Sequence, residues 1–357
     1  MYEIKIIKEI IYCLKNIYKI KSKELNNRNI KTKSKYENSI IYKKLKNTNK
    51  YNNKLSYNLF GIFYFIILFQ FLGLSIAQND SFTEIEITIR GNGTQMILNK
   101  DFIPIPDFVS INYAEECQIP INNYIINLSL NENTITIKWN NTITNCTEMF
   151  YGLKNITKIN LINFNTSKVM SMTRMFYGWS SLQEIDFGEI NTTSVTDMSY
   201  MFSGCTNLKE INLSNFETYN VKSMSHMFEN CENLIVLNLD NFDTSSVENM
   251  SYMFYMCKQL ISLYISSFNT ENVIDFNNMF SNCKRMNSID LSSFTATKAI
   301  NMSYLFDSCW DLTYVDLSDI NTSSSLKDIN NMFSSCTSLE NINFDNFNTS
   351  GVENMNY

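Results

Sequence analysis

From residue 149 onward one motif returns every 26 residues, and that period restricts the fold more than any other property of the chain. Met149-Phe150 recurs as Met175-Phe176, Met201-Phe202, Met227-Phe228, Met253-Phe254 and Met279-Phe280, then as Leu305-Phe306 and, one residue late, as Met332-Phe333. With each Phe as position zero, Cys falls at +3, Leu at +6, Ile or Leu at +9, Leu at +11, Phe at +14, Thr at +16, Val at +19 and Met at +22. The copy from Phe202 carries the full set: Cys205, Leu208, Ile211, Leu213, Phe216, Thr218, Val221 and Met224. A fixed period in the twenties marks a repeat array, in which each unit buries its apolar face only against its neighbours.

Within the period two patterns alternate. From +6 to +14 apolar and polar residues settle into alternation, as in Ile211, Leu213 and then Ser214, which predicts a short strand with one face inward. From +19 to +29 apolar residues come at steps of three and four, Val221, Met224, Met227-Phe228 and Cys231, which predicts a helical turn or two, with Thr218 or Asn220 as its cap. The expected architecture is therefore an α/β solenoid of eight 26-residue repeats over residues 149–357, with a parallel sheet on one wall and short helices on the other.

The run LKEINLSNFETYNVKSMSHMFENC, Leu208 to Cys231, repeats with little drift over about residues 147 to 357. It resembles the BspA-like leucine-rich-repeat surface proteins, whose consensus pairs a leucine-rich strand with the same Phe, Thr, Val, Met-Phe and Cys columns. The resemblance implies a leucine-rich-repeat module, on the cell surface or secreted, associated with adhesion. It implies architecture more closely than it implies a ligand.

Charge divides the chain. Residues 1–58 carry 15 Lys or Arg against 4 Asp or Glu, net +11, whereas the remainder carries 14 against 31, net −17. Between the two lies a charge-free stretch, residues 59–77, whose 19 residues would span about 28 Å as a helix, close to the hydrocarbon core of a bilayer. That segment is read as a transmembrane anchor or as a signal peptide ending at Ser75-Ile76-Ala77. Either way the basic flank stays inside and residues 79–357 lie outside, giving a single-pass membrane protein or a secreted one. Residues 1–58 are then a basic, unstructured cytoplasmic tail, or an extension upstream of the true start. A solvated flank explains the charge without a nucleic-acid partner.

Residues 79–148 do not follow the period. Ile85, Ile87 and Ile89 alternate with Glu86 and Thr88, Gly91-Asn92-Gly93 turns the chain, and Ile135 and Ile137 alternate again before Trp139. This predicts a small β cap over the first repeat's open core. Cys117 and Cys146 both fall here and are a disulfide pair or two free thiols. Thirteen N-x-S/T sequons follow residue 78 and none precedes it, which suits an exported glycoprotein, although several share a repeat column and so are by-products of the repeat.

Few residues point to catalysis. The Cys column, Cys205 to Cys336, accepts Leu153 and Trp179 in its first two copies, which reads as an apolar slot and not as a metal site. The Met columns sit at core spacing, and His226, the one histidine, has no matched nucleophile. No enzyme activity and no cofactor is expected. The outward strand columns at +8 and +10 are the candidate binding face: Glu184, Asp186, Glu210, Asn212, Asn238, Tyr264, Asp290, Tyr314 and Asp316. The expected function is non-catalytic binding of a protein or glycan ligand through that face, the alternative being a structural coat or spacer without a specific ligand. Because the columns run through Met355 without a polar cap, the array is expected to continue past Tyr357 or to self-associate end to end.

Overall fold

The computed structural model describes residues 83–112 and 124–356. The chain divides into two units, Met1–Gln78 and Asn79–Tyr357, and the described residues belong to the second. The basic segment 1–58, the apolar segment 59–77 and Cys117 lie outside the described residues.

Alternation builds the N-terminal sheet. Thr83–Arg90 (β1) buries Ile85, Ile87 and Ile89 and leaves Glu86 and Thr88 half-covered. It pairs antiparallel with Glu132–Trp139 (β5), Ile85 opposite Ile137 and Ile87 opposite Ile135, and β5 also takes Phe108–Ile111 (β3) on its other side. Gly93–Met96 (β2) and Ile125–Leu128 (β4) form a separate antiparallel pair. The free side of β1 pairs antiparallel with Ile156–Asn160 (β6), which is the strand of the first repeat, so that the sheet order is β3-β5-β1-β6-β7. One continuous sheet thus joins the cap to the array and removes the edge that the first repeat would otherwise present.

Each later repeat offers at most three strand residues. Glu184–Asp186 (β7) pairs parallel with β6, Val236–Asn238 (β8) with Ser262–Tyr264 (β9), and Tyr314–Asp316 (β10) with Asn341–Asn343 (β11). In β8 and β10 the inner residue is buried and its two neighbours are exposed, which follows the period of two, while in β7, β9 and β11 the inner residue is half-buried.

The expected helical wall is corrected by the structure: among the described residues there is no α-helix, and the α/β leucine-rich-repeat solenoid with short helices does not describe the chain. Around Phe228, the N–H groups of Met224, His226, Phe228 and Asn230 donate to Asn249, Ser251, Met253 and Tyr255 of the next repeat at 2.8–3.0 Å. Those between them, of Met227, Glu229 and Cys231, close turns onto carbonyls three residues back at 3.1–3.2 Å. A helix would send every one of these to a carbonyl four residues back in its own segment. Here alternate groups point along the stack. The geometry needs left-handed residues at two places per repeat, two before the Phe (Tyr200, His226, Tyr252, Tyr304; φ 57–59°) and two after it (Gly178, Gly204, Asn230, Asn282; φ 56–77°). Turns with such residues every four positions repeat their apolar contacts at steps of three and four, as a helix does, and this is why the pattern misleads. Thr218 and Asn220 cap nothing: the Thr218 hydroxyl donates to the Asp243 carbonyl at 2.9 Å, and the Asn220 amide to the Thr193 carbonyl at 2.7 Å. A second parallel ladder, one residue wide, links Ser171, Asp197, Ser223, Asn249 and Asp275 through Asn354.

The membrane placement is corrected as well. No helix among the described residues is long and apolar enough to cross a membrane, so the transmembrane helix and the single-pass topology find no support in the structure.

The core lies between the two ladders. Phe150, Phe176, Phe202, Phe228, Phe254, Phe280, Phe306 and Phe333 stack with ring centroids 5.3–5.9 Å apart and planes within 14° of parallel. Such offset stacks suit the ring quadrupole and bury both faces of every internal ring. Phe216–Phe242 and Phe268–Phe294 form shorter stacks beside it. In the last repeat the same columns open: Phe333, Cys336 and Phe347 are only half-buried, and Phe344 is exposed.

Candidate recognition face

All nine residues expected on the outward face are exposed, and the backbone explains the place of each. Glu184 stands opposite Lys158 across the β6–β7 pair, with the ammonium 2.8 Å from its carboxylate. Glu210 and Asn212 lie between the paired strands, as does Asp290. Asn238 faces Tyr264 across β8–β9. Tyr314 and Asp316 lie in β10, and the Tyr314 hydroxyl donates to the Asp316 carboxylate at 3.0 Å.

The +10 column has a local duty that its spacing does not disclose. Asp186, Asn212, Asn238, Asp290 and Asp316 each accept the N–H two residues on, at 2.9–3.1 Å, and so fix the turn that ends the strand. Asn160 and Asn343 do the same. Side chains of this length are suited to that bond, and this suffices to place Asp or Asn there. Hydrogen bonds from the same residues lower the Asp290 and Asp316 carboxyls from their ordinary value, the former chiefly through the Ser292 N–H and the latter chiefly through the Ser318 hydroxyl.

Tyr264 breaks the column. It has no acceptor to offer the Ser266 N–H, and Asp240 from the preceding repeat takes over, its Oδ1 accepting that N–H at 2.9 Å and the Ser266 hydroxyl at 2.8 Å. The ring is 50% exposed. On the same face of the β8–β9 pair Val236 is 44% exposed, and Ile235 beside it is also open. A position that the turn reserves for Asp or Asn thus carries a large exposed aromatic ring, with the turn rescued from elsewhere.

The Cys column is buried from Cys205 to Cys309 and half-buried at Cys336, as an apolar slot would be, but it is also a donor. Cys205, Cys231, Cys257, Cys283, Cys309 and Cys336 aim Sγ at the Phe carbonyl of the preceding repeat, 3.0–3.4 Å away, and Trp179 supplies its indole N–H to Phe150 at 2.6 Å. Burial raises these thiols from the ordinary 9.0, to about 12 for Cys205 and Cys283 and about 11 for Cys336. They are protonated and unreactive at neutral pH. Two consequences are measurable. At pH 8 a maleimide should label Cys336 first and the five inner cysteines only in denaturant. Because the folded thiols keep protons that the unfolded chain releases, their stabilisation is complete below about pH 9 and is lost as pH climbs toward the folded values. Urea midpoints should accordingly fall between pH 9 and 11. Equal labelling of these six cysteines in the folded protein would contradict this placement.

Cys146 is buried, and burial pushes its thiol well up; its candidate disulfide partner Cys117 lies outside the described residues. His226 is sandwiched between Tyr200 and Tyr252, with centroids 4.1 and 4.6 Å away, and its Nδ1 lies 3.0 Å from Glu229. The chain pattern gave no sign of this ladder, whose members occupy a left-handed position. Among the described residues no group of three or more His, Cys, Asp or Glu side chains is placed to hold a metal ion.

Stacked turns locked by parallel ladders, capped by an antiparallel sheet and presenting one open polar face, define a repeat protein built around stacked phenylalanines. Residues 144–235, 224–340 and 313–357 match the family described as "Mycoplasma protein of unknown function, DUF285", and the chain belongs to that family. No curated protein and no solved structure matches the chain.

Proposed function

We propose that the array is a non-catalytic recognition module that binds other macromolecules through its outward sheet face, with Tyr264 and Tyr314 as anchors. The observation that carries this reading is Tyr264, exposed at a position where the turn calls for Asp or Asn and where Asp240 compensates for the exchange. Exposed tyrosines set among polar groups are the residues that dominate binding energy at interfaces. Buried, protonated thiols and a histidine held between two rings leave little from which to build a nucleophile. The resemblance to BspA-like proteins, with their adhesion role, supports the same direction. The regular Asp/Asn column favours the second reading, a spacer protein, because its members serve the backbone.

The test is a screen of the full chain against glycan and peptide arrays, repeated with Tyr264→Ala/Tyr314→Ala. Recognition predicts at least one ligand whose binding falls by roughly 10-fold or more in the double variant, as for loss of two anchors. Binding that is unchanged in the double variant, or no ligand at all, would favour the spacer.

A further inference from the structure

The outward face is more one-sidedly acidic than the rest of the array. Across its +8, +10 and +12 positions stand Glu184, Asp186, Glu210, Asp240, Asp290, Asp316 and Asp345, against one cation, Lys158, which is already paired with Glu184. The array's other lysines and arginines are placed elsewhere, and several are engaged there: Lys258 with Glu232, Lys327 with Glu353, Arg174 with Glu148 and Lys284 over the Trp310 ring. Both Asp290 and Asp316 are held in the ionised form by the turn they close. The face is therefore predominantly acidic from Glu184 to Asp345, with an apolar opening at the β8–β9 pair, where Val236 and Tyr264 stand open beside Asp240.

That order, acid then apolar then acid, selects a partner. Resting on the recognition reading above, we infer that the face takes a cationic polypeptide segment laid along the array across the strands, with a large apolar side chain against Val236 and Tyr264 and Lys or Arg side chains on Glu210 and Asp290. Neighbouring strands lie about 4.8 Å apart, so three spacings from Glu210 to Asp290 cover about 14 Å across the strands, and their offset of two residues along the strand makes the diagonal about 16 Å, which an extended chain spans in about five residues. Complementary charge steers the approach and fixes register, while the tyrosine supplies desolvated contact area. A purely anionic ligand would meet repulsion along the whole strip. A small polyamine would satisfy the charge but leave the apolar centre unused.

The probe is a synthetic peptide of about ten residues with two arginine pairs about five residues apart and a phenylalanine between them, matched to that span. Binding to the full chain is followed by fluorescence anisotropy at low and moderate salt. Glu210→Gln with Asp290→Asn and Asp316→Asn removes charge while Asn keeps the acceptor that each turn needs, so the fold is retained. This triple variant should weaken binding by roughly 10-fold or more and flatten the salt dependence. The matched set off the face, Glu248→Gln with Glu271→Gln and Asp319→Asn, should change it by less than about 2-fold. Tyr264→Ala should weaken binding with the salt dependence intact.

Equal loss from both triple variants would mean a non-specific electrostatic attraction and would overturn the site. Spermine competing as well as the peptide, in a manner blind to Tyr264, would overturn the polypeptide assignment. A peptide that fails to bind, while a ligand from the array screen still depends on Tyr264 and Tyr314, would sink the cationic partner and leave the recognition reading standing. If that screen is also silent, the recognition reading itself fails.

Discussion

Phe228→Ala is expected to destabilise the array by about 3–5 kcal/mol, the cost of a large truncation in a core that cannot collapse around the gap. The ring is fully buried and stacks at 5.5 Å on Phe202 and at 5.8 Å on Phe254, so its removal strips one face from each neighbour. In an array whose units touch only the adjacent ones, the lost contacts are also the link between the two halves. Urea unfolding should therefore shift to lower denaturant and separate into two transitions, one for the repeats on either side. Val236→Ala, exposed on the outward face, should cost about 0.5 kcal/mol or less. Similar costs for the two variants would mean that the inward and outward columns have been exchanged.

That much of the design was legible before any coordinates. Which columns are buried follows from the period alone, and Phe, Met, Val and Leu positions from Met149 to Leu326 are covered as their spacing requires. The local backbone was not legible to the same degree. Val221, Met224, Met227 and Phe228 satisfy a helical stripe and a stack of turns equally well, since both bring residues three and four apart to one side. The discriminating signal sat one column away, in Gly152, Gly178, Gly204, Asn230 and Asn282. Glycine inside a helix costs about 1 kcal/mol against alanine, and Gly and Asn are the residues that accept φ near +60°. A column that keeps returning to them marks a recurrent left-handed turn. The second such column hides the signal, because Tyr200, His226 and Tyr252 hold it with side chains that stack instead, and Tyr304 holds it with another aromatic ring.

The candidate face shows the same division. Exposure of Glu184 to Asp316 followed from alternation, but alternation says nothing of which exposed side chains are already occupied. Asp186, Asn212 and Asn238 serve the turn below them, so their recurrence reports backbone chemistry and carries little information about a ligand. Tyr264 gains weight for the opposite reason: it departs from what the backbone asks. A repeat protein's interaction residues are best sought where a column with a known structural duty abandons it and a neighbour takes the duty over.

The Thr column yields the other large effect. Thr244 is fully buried, and its hydroxyl both donates to the Asn269 carbonyl and accepts the Asn269 N–H, each at 2.8 Å, so that one side chain closes a two-bond bridge to the next repeat. Thr192, Thr218 and Thr270 make the same donation to the repeat that follows each of them. Thr244→Val keeps the shape and removes both bonds, leaving a backbone donor and acceptor of Asn269 without their partner. At roughly 1–3 kcal/mol for each such group, and less where water reaches it, the expected cost is about 2–3 kcal/mol. Thr244→Ser keeps the hydroxyl and loses a methyl, for about 0.8 kcal/mol. Hydrogen exchange should report the difference locally, with the Asn269 amide exchanging far faster in the valine variant than in the serine one. A valine variant as stable as the wild type, with Asn269 still protected, would show that the column is kept for packing and that the bridge contributes nothing to holding one repeat against the next.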